Sequence, residues 1–138
     1  MVAVETTELT FPSRIDTVAS AAGAVADFVG RSGIGDEAAF GIDMAVREAV
    51  TNAVLHGNRQ DEGKVVEIIL KSSPDAVEIS VHDQGPGFNP EEVPDPTAQE
   101  NILKTSGRGI FFMRTFMDEV DWSIRPGGGT TVRMLKRR

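Results

Sequence analysis

Two polar side chains stand four residues apart in the stretch from 47 to 57, which reads Arg-Glu-Ala-Val-Thr-Asn-Ala-Val-Leu-His-Gly. Residues with this spacing lie on the same side of an α-helix, so Glu48 and Asn52 share one edge. A carboxylate there can accept a proton from an attacking hydroxyl group. An amide oxygen is a hard ligand of the kind that Mg²⁺ takes beside nucleotide phosphates. Taken alone, the pair is also typical of a helix whose polar edge faces water.

A second polar group follows an apolar run, where Asp83 precedes Gly85 and Gly87. Glycine permits a backbone turn with positive φ and lets a flat ligand approach the chain closely. A carboxylate at such a point can accept a hydrogen bond from an exocyclic amine such as that of adenine. An Asp-x-Gly turn between strands is common, however, so this motif by itself is weak evidence.

Two further glycine-rich stretches complete the set. Gly107-Arg108-Gly109 opens a predicted helix, whose free N–H groups and dipole favour phosphate, and Arg108 adds a forked cation. The spacing matches neither the Walker-type phosphate loop nor the dinucleotide fingerprint. The run 127–129 before Thr130 suits a hairpin turn. Each stretch alone has an ordinary structural explanation, but four such explanations would have to apply at once in one short chain. The order of the four stretches therefore favours ATP as the ligand.

The elements that would position these residues are predicted from periodicity and from turn signals. They are a strand at 7–11, helices at 15–29 and 36–56 (the second with Asp36 as N-cap), strands at 65–70 and 76–81, a helix at 109–117, and strands at 120–124 and 130–135. The first two helices are predicted with buried apolar stripes, made of Ile15, Val18, Ala22, Val25, Ala26 and Val29 in the first and of Ile42, Ala45, Val46, Ala49, Val50 and Ala53 in the second. The proline-rich segment at about 84–106 predicts a lid or binding loop. The pattern predicts one domain, 1–138, of α+β class: a two-layer sandwich whose mostly antiparallel mixed sheet carries three helices on one face.

Composition narrows the function classes. With 138 residues, 40% hydrophobic and 25% charged, the chain has the composition of a single globular domain. It has no cysteine, no signal peptide and no apolar run of the ~20 residues that span a bilayer, so we expect a cytoplasmic protein away from membranes. A net charge of −7 argues against direct binding of nucleic acid. The basic cluster at 133–138 is predicted to be a solvated tail.

The four stretches together resemble the four sequence boxes of the GHKL, or Bergerat-fold, ATPases. The matching segments are Glu48-Ala49-Val50-Thr51-Asn52-Ala53 with His56-Gly57, Asp83-x-Gly85-x-Gly87-Phe88, Gly107-x-Gly109-Ile110 and Gly129-Thr130-Thr131. The His-Gly pair, the short lid and the sequence 116–120 are similar to those of the anti-sigma-factor serine kinases of partner-switching systems.

The resemblance implies roles for individual residues. Glu48 would be the general base, Asn52 a ligand of Mg²⁺ and of the nucleotide, and Asp83 the partner of the adenine amine, with Thr130 supporting it through water. The pocket and its phosphate lid would be shaped by Gly85, Gly87, Gly107 and Gly109. Thr105 stands where relatives often carry a basic residue, so Lys104 and Arg108 are the nearby cations for the phosphates.

The resemblance also implies an activity and partners. The protein would be a homodimeric serine protein kinase, dependent on ATP and Mg²⁺, that binds a sigma factor and phosphorylates a small anti-sigma-factor antagonist. A nucleotide-gated binding module without kinase activity is the alternative. An ATP-hydrolysing domain of a larger assembly is a third possibility.

Overall fold

The computed structural model describes residues 4–58, 61, 63–84, 113–125 and 128–138. Its elements are β1 (Glu5–Pro12), α1 (Thr17–Ser32), α2 (Asp36–Asn52) with a π-helical turn (Ala53–Gly57), β2 (Val65–Ser72), β3 (Ala76–His82), β4 (Glu119–Ile124) and β5 (Thr130–Arg137). A short helical turn at 113–116 precedes β4. The predicted third helix is thus confirmed for the part of it that is described, and most of the predicted lid lies outside these ranges.

The five strands form one sheet in the order β1-β2-β3-β5-β4. Every pairing between them is antiparallel, so the parallel component implied by a mixed sheet is absent from the described strands. Both helices pack on one face, and the predicted α+β class is confirmed. Burial alternates along β2 and along β3 from Val77, so every second side chain faces the helices, as expected where helices cover one face of an antiparallel sheet.

The core lies between the covered sheet face and the two helices. The sheet contributes Val66, Ile68, Leu70, Val77, Ile79, Val81, Val132 and Met134. The predicted stripe of α2 is buried as expected, from Ile42 to Ala53. The prediction that Ile15 and Ala26 join the stripe of α1 is wrong, because Ile15 precedes the helix and is 58% exposed and Ala26 lies on the exposed side of the helix.

The start of α2 also differs from the prediction. Asp36 is the first helical residue, and Gly35 occupies the N-cap position with φ of +100°. A positive φ of this size suits glycine, which has no Cβ to clash with the backbone. Asp36 and Glu37 lie instead in the first turn, where their charges favour the positive end of the helix dipole.

The basic residues at 133–138 are hydrogen-bonded to neighbouring strands, to a turn and to the end of α1, so the predicted solvated tail is wrong. Arg133 on β5 donates to Glu78 on β3 at 2.7 Å and to Asp121 on β4 at 2.9 Å. The Arg138 guanidinium donates to the carbonyl oxygens of Ser32 and Ser73 at 2.7 and 2.8 Å. Composition reveals the cluster of cations but not the acceptors that neighbouring elements bring to it.

No helix in the described ranges combines the length and the apolar character needed to cross a bilayer.

Candidate functional site

Two of the predicted site residues, Asp83 and Thr130, lie together at one end of the sheet. There β3 ends at His82, β5 begins at Thr130, and the chain leaves α2 through its π-helical turn. Asp83 and Thr130 are in contact, and α2, which carries Glu48 and Asn52, packs on the two strands that lead to them. The other predicted site residues lie outside the described residues: Gly85, Gly87, Lys104, Gly107, Arg108 and Gly109.

The Asp83 carboxylate is held by the backbone of β5. The Asp83 N–H donates to the Thr130 carbonyl oxygen at 3.0 Å, and the Thr130 N–H donates to Asp83 Oδ1 at 3.0 Å. In a regular antiparallel pair the second bond would end on a main-chain carbonyl. Here the side chain takes that place, and Arg125 Nη1 donates to the Asp83 carbonyl oxygen at 3.3 Å. The carboxylate is therefore fixed in direction, and only 7% of the residue is exposed.

Gly129 lies directly against Asp83. It has φ of +96°, and a Cβ atom added there would stand 2.1 Å from the Asp83 carbonyl oxygen. Such a distance is far inside van der Waals contact, and the obstacle is backbone that cannot rotate away. The glycine run that suggests only a flexible hairpin turn in the sequence thus includes a residue required by close packing at the site.

Glu48 and Asn52 are half-buried on α2, beside the stripe that faces the sheet. Asn52 is the last α-helical residue, and the next five residues form the π-helical turn. Single π-helical turns occur frequently at functional sites. Because Glu48 and Asn52 both belong to α2, their four-residue spacing places the acid and the amide on one edge of the helix, as predicted.

Asn58 is a site-adjacent residue that the sequence does not reveal. It is fully buried, and its side-chain amide bonds with Ser13, with Val65 and with the backbone of Gln84, the residue after Asp83. These bonds tie the end of α2 to the ends of three strands. An asparagine after His-Gly suggests an exposed loop, and no local pattern indicates its burial.

Residues 11–136 match the family model described as the histidine kinase-like ATPase domain. The chain belongs to this family. It is 34% identical to the anti-sigma F factor of Clostridium beijerinckii over 129 residues, which cover 92% of this chain and 90% of the relative. It is 35% identical to the anti-sigma F factor of Thermoanaerobacter sp. (strain X514) over 133 residues, 94% and 91% of the two chains. The anti-sigma F factor of Clostridium perfringens (strain 13 / Type A) is 41% identical over 98 residues, 70% of each chain.

Membership of the histidine kinase-like ATPase family confirms the predicted GHKL resemblance and implies ATP binding. The described residues fit such a ligand. Asp83 offers a fixed acceptor for an amine, and Asn52 offers an oxygen of the type that Mg²⁺ takes together with waters and phosphates. Within the described part of the chain, no three His, Cys, Asp or Glu side chains form a group that could hold a metal ion. The amide of Asn52 is outside that class of ligand, so its role toward Mg²⁺ stays a prediction.

His82 lies on the face of the sheet opposite the helices, at the last paired position of β3 in this ATPase domain. Its Nδ1 bonds with Thr131 Oγ1, and among the described residues its buried Nε2 has no hydrogen-bond partner. Burial lowers the pKa of His82 below its ordinary value of 6.5, and the nearby Arg125 cation lowers it further. Glu67 and Asp83 oppose this shift in pKa less strongly. The neutral imidazole is therefore the form that the fold favours.

We expect the free energy of unfolding to decrease on acidification, in part because of His82. A lowered pKa in the folded state means that the stability gained from neutral His82 is complete above pH 6.5 and is lost as the pH falls through the folded pKa. Urea denaturation at several pH values between about 7.5 and 5 measures this dependence. In His82→Gln it should be weaker, whereas His56 is present in both proteins and its contribution cancels. An identical dependence in the two proteins would contradict the assignment.

Proposed function

We propose that this protein is an ATP- and Mg²⁺-dependent serine protein kinase that also acts as an anti-sigma factor. It would bind a sigma factor and transfer the γ-phosphoryl group of ATP to a serine of a small antagonist protein. The observation that carries the proposal is the buried Asp83 carboxylate, held by the Thr130 N–H at the end of the sheet where α2 ends. The anti-sigma F factors similar to this chain over more than nine tenths of its length support the choice of partners.

Asp83 would recognise the adenine base. Its Oδ1 is already aimed by a backbone N–H at 3.0 Å, and a carboxylate has lone pairs for more than one donor. A hydrogen bond from the exocyclic amine to such an anion is stronger than one between neutral groups. Because the acceptor is held before the ligand arrives, little ordering is required on binding. Water-mediated support from the Thr130 side chain belongs to the same proposal.

Glu48 and Asn52 would act at the phosphate end of the nucleotide. Bound ATP supplies the γ-phosphoryl group, and Mg²⁺ neutralises charge on the phosphates. Asn52 would hold the metal ion through its amide oxygen, and Glu48 would accept the proton of the serine hydroxyl. Lys104 and Arg108 are proposed as phosphate contacts, with the four glycines Gly85, Gly87, Gly107 and Gly109 shaping the pocket. Phosphoryl transfer depends mostly on positioning and charge stabilisation, so few catalytic side chains are required.

The proposed partners follow the logic of a switch. The unmodified antagonist would bind the kinase and release the sigma factor, and the phosphorylated antagonist would not. We propose that the protein works as a cytoplasmic homodimer and as a single domain, without direct contact to nucleic acid. The net charge of −7 supports the last point, since binding to phosphate backbones requires a basic surface.

We expect Asn52→Ala to lose the Mg²⁺ dependence of ATP binding. Calorimetric titration with and without Mg²⁺ should show affinity reduced on the order of 10- to 100-fold in the presence of the metal, the range observed when a partner of a metal site is removed. Thr51→Ala is the matched control, because Thr51 precedes Asn52 on the same turn and, among the described residues, its hydroxyl bonds within the helix, to the Arg47 carbonyl oxygen at 2.7 Å. Unchanged affinity in Asn52→Ala would remove the metal role from this residue.

Incubation with γ-labelled ATP tests the proposed function. The purified protein is mixed with a small antagonist protein of a sigma-factor pathway, and phosphoserine in the antagonist is measured. The proposal predicts label on serine that requires Mg²⁺, together with release of bound sigma factor by the unlabelled antagonist. Binding of ATP and antagonist without any phosphoserine would instead establish the nucleotide-gated binding module.

A further inference from the structure

The Asn58 side chain forms a bridge with only one possible orientation. Its Oδ1 accepts the Gln84 N–H at 2.7 Å, and its Nδ2 donates to the Val65 carbonyl oxygen at 3.0 Å and to Ser13 Oγ at 3.1 Å. A backbone N–H can only donate and a carbonyl oxygen can only accept, so the amide cannot be reversed. All the hydrogen-bonding groups of this fully buried amide are satisfied, and the bridge is specific.

The bridge replaces strand pairing at the point where Asp83 stands. The register of β2 with β3 ends at the pair of Glu67 and His82. Beyond it, the Val65 N–H is taken by Gln84 Oε1 at 2.8 Å, and the Gln84 N–H turns to Asn58. Asp83 is consequently held from two directions. Its own N–H and carboxylate bond with Thr130 on β5, and the N–H of the next residue, Gln84, donates to Asn58.

We propose that Asn58 is a positioning residue for base recognition, acting through Gln84 to hold Asp83 where it accepts the amine of adenine. This inference rests on the proposed function, specifically on the adenine role of Asp83. Without the acceptor at Asn58, the Gln84 N–H can turn to water, because Gln84 is exposed. Asp83 would then lose the anchor that the next residue provides on the β2 side, and its carboxylate would be less sharply placed against the base.

Comparison of ATP with inosine triphosphate reports on this position directly. Inosine has a carbonyl oxygen in place of the exocyclic amine, so it offers Asp83 no donor at that position. We expect wild-type protein to prefer ATP by about tenfold or more, as for a hydrogen bond to a charged acceptor. In Asn58→Ala we expect the preference to fall by about fivefold or more. A merely structural role would lower stability and leave the ratio of the two affinities unchanged.

Ser13→Ala is the matched control. Ser13 is as deeply buried as Asn58 and bonds with the same amide nitrogen, but among the described residues the hydrogen bonds of Gln84 join it to Asn58 and Val65 and not to Ser13. We expect it to lower stability while the preference for ATP stays within about twofold of wild type, as expected for a bond on the β1 side of the bridge. An Asn58→Ala protein that keeps the wild-type preference overturns the inference and leaves the proposed function intact. A wild-type protein with no preference for ATP overturns the adenine assignment and this inference with it.

Hydrogen exchange of wild-type protein gives a second test that needs no variant. With saturating nucleotide, the Gln84 N–H should be protected about tenfold more by ATP than by inosine triphosphate, because only ATP engages Asp83. The buried amides of the core, such as Ile79, serve as internal references for overall stabilisation. Equal protection of Gln84 by the two nucleotides, relative to those references, overturns the inference even if Asn58→Ala fails to fold.

Discussion

The Glu48→Gln protein is expected to bind ATP as the wild type does and to phosphorylate the antagonist about 10²- to 10⁴-fold more slowly, the range for loss of a general base. Glutamine keeps the size and polarity of glutamate but cannot accept the proton of the serine hydroxyl. Because Glu48 lies beside the buried stripe of α2 and is itself half-buried, its replacement should leave the core intact. Single-turnover transfer of label from γ-labelled ATP measures the effect, and calorimetry measures binding.

Asp43→Asn is the control for charge on the same helix. Asp43 pairs with Arg47 at 3.0 Å across one turn, a partly exposed ion pair of the kind that contributes little to stability. We expect the transfer rate of this variant to stay within about twofold of wild type, since the change removes equal charge without removing the base. Transfer at the wild-type rate by Glu48→Gln would show that another group accepts the proton.

The Gly129→Ala protein is expected to lose about 3 kcal/mol or more of its free energy of unfolding, as for overpacking against a rigid neighbour. Its Cβ would stand 2.1 Å from the Asp83 carbonyl oxygen, and φ of +96° is unfavourable for alanine. Relief requires that β5 and the end of β3 separate, which breaks the bonds between Asp83 and Thr130. ATP affinity should therefore fall together with stability, as measured by calorimetry and by urea denaturation.

Gly35→Ala distinguishes the effect of an unfavourable backbone φ from the effect of a steric clash with Asp83. Gly35 has a similar φ of +100°, but a Cβ there meets nothing within 4 Å. We expect a loss of about 1–2 kcal/mol from backbone strain alone, and no change in ATP affinity. Equal losses at the two glycines would show that the close approach to Asp83 relaxes easily, and would weaken the case for a rigid acceptor.

Local patterns predict much of this fold because they reflect burial directly. The apolar residues of α2 recur with helical spacing from Ile42 to Ala53, and all of this predicted stripe is buried. The strands β2 and β3 are flanked by turn-forming residues, and their short connection makes an antiparallel pair the natural outcome. Ile15 is misassigned since periodicity alone does not show where a helix begins.

The candidate site is predictable only as a set of residue types. The sequence indicates that Asp83 precedes glycines, but the replacement of a main-chain carbonyl by its carboxylate is a tertiary arrangement. The burial of Asn58 likewise depends on three segments that are distant in sequence. The acceptors for Arg133 and Arg138 come from neighbouring strands and from the end of α1, so composition could not distinguish them from a solvated tail.

A crystal structure with Mg²⁺ and a non-hydrolysable ATP analogue tests the central claim most directly. It should show the adenine amine about 3 Å from an Asp83 carboxylate oxygen and the metal ion about 2.1 Å from Asn52 Oδ1, the usual lengths of such contacts. The Glu48 carboxylate should face the γ-phosphate from the side open to a serine hydroxyl. A nucleotide bound elsewhere, or one at this end of the sheet with Glu48 and Asn52 turned away from its phosphates, would contradict the account.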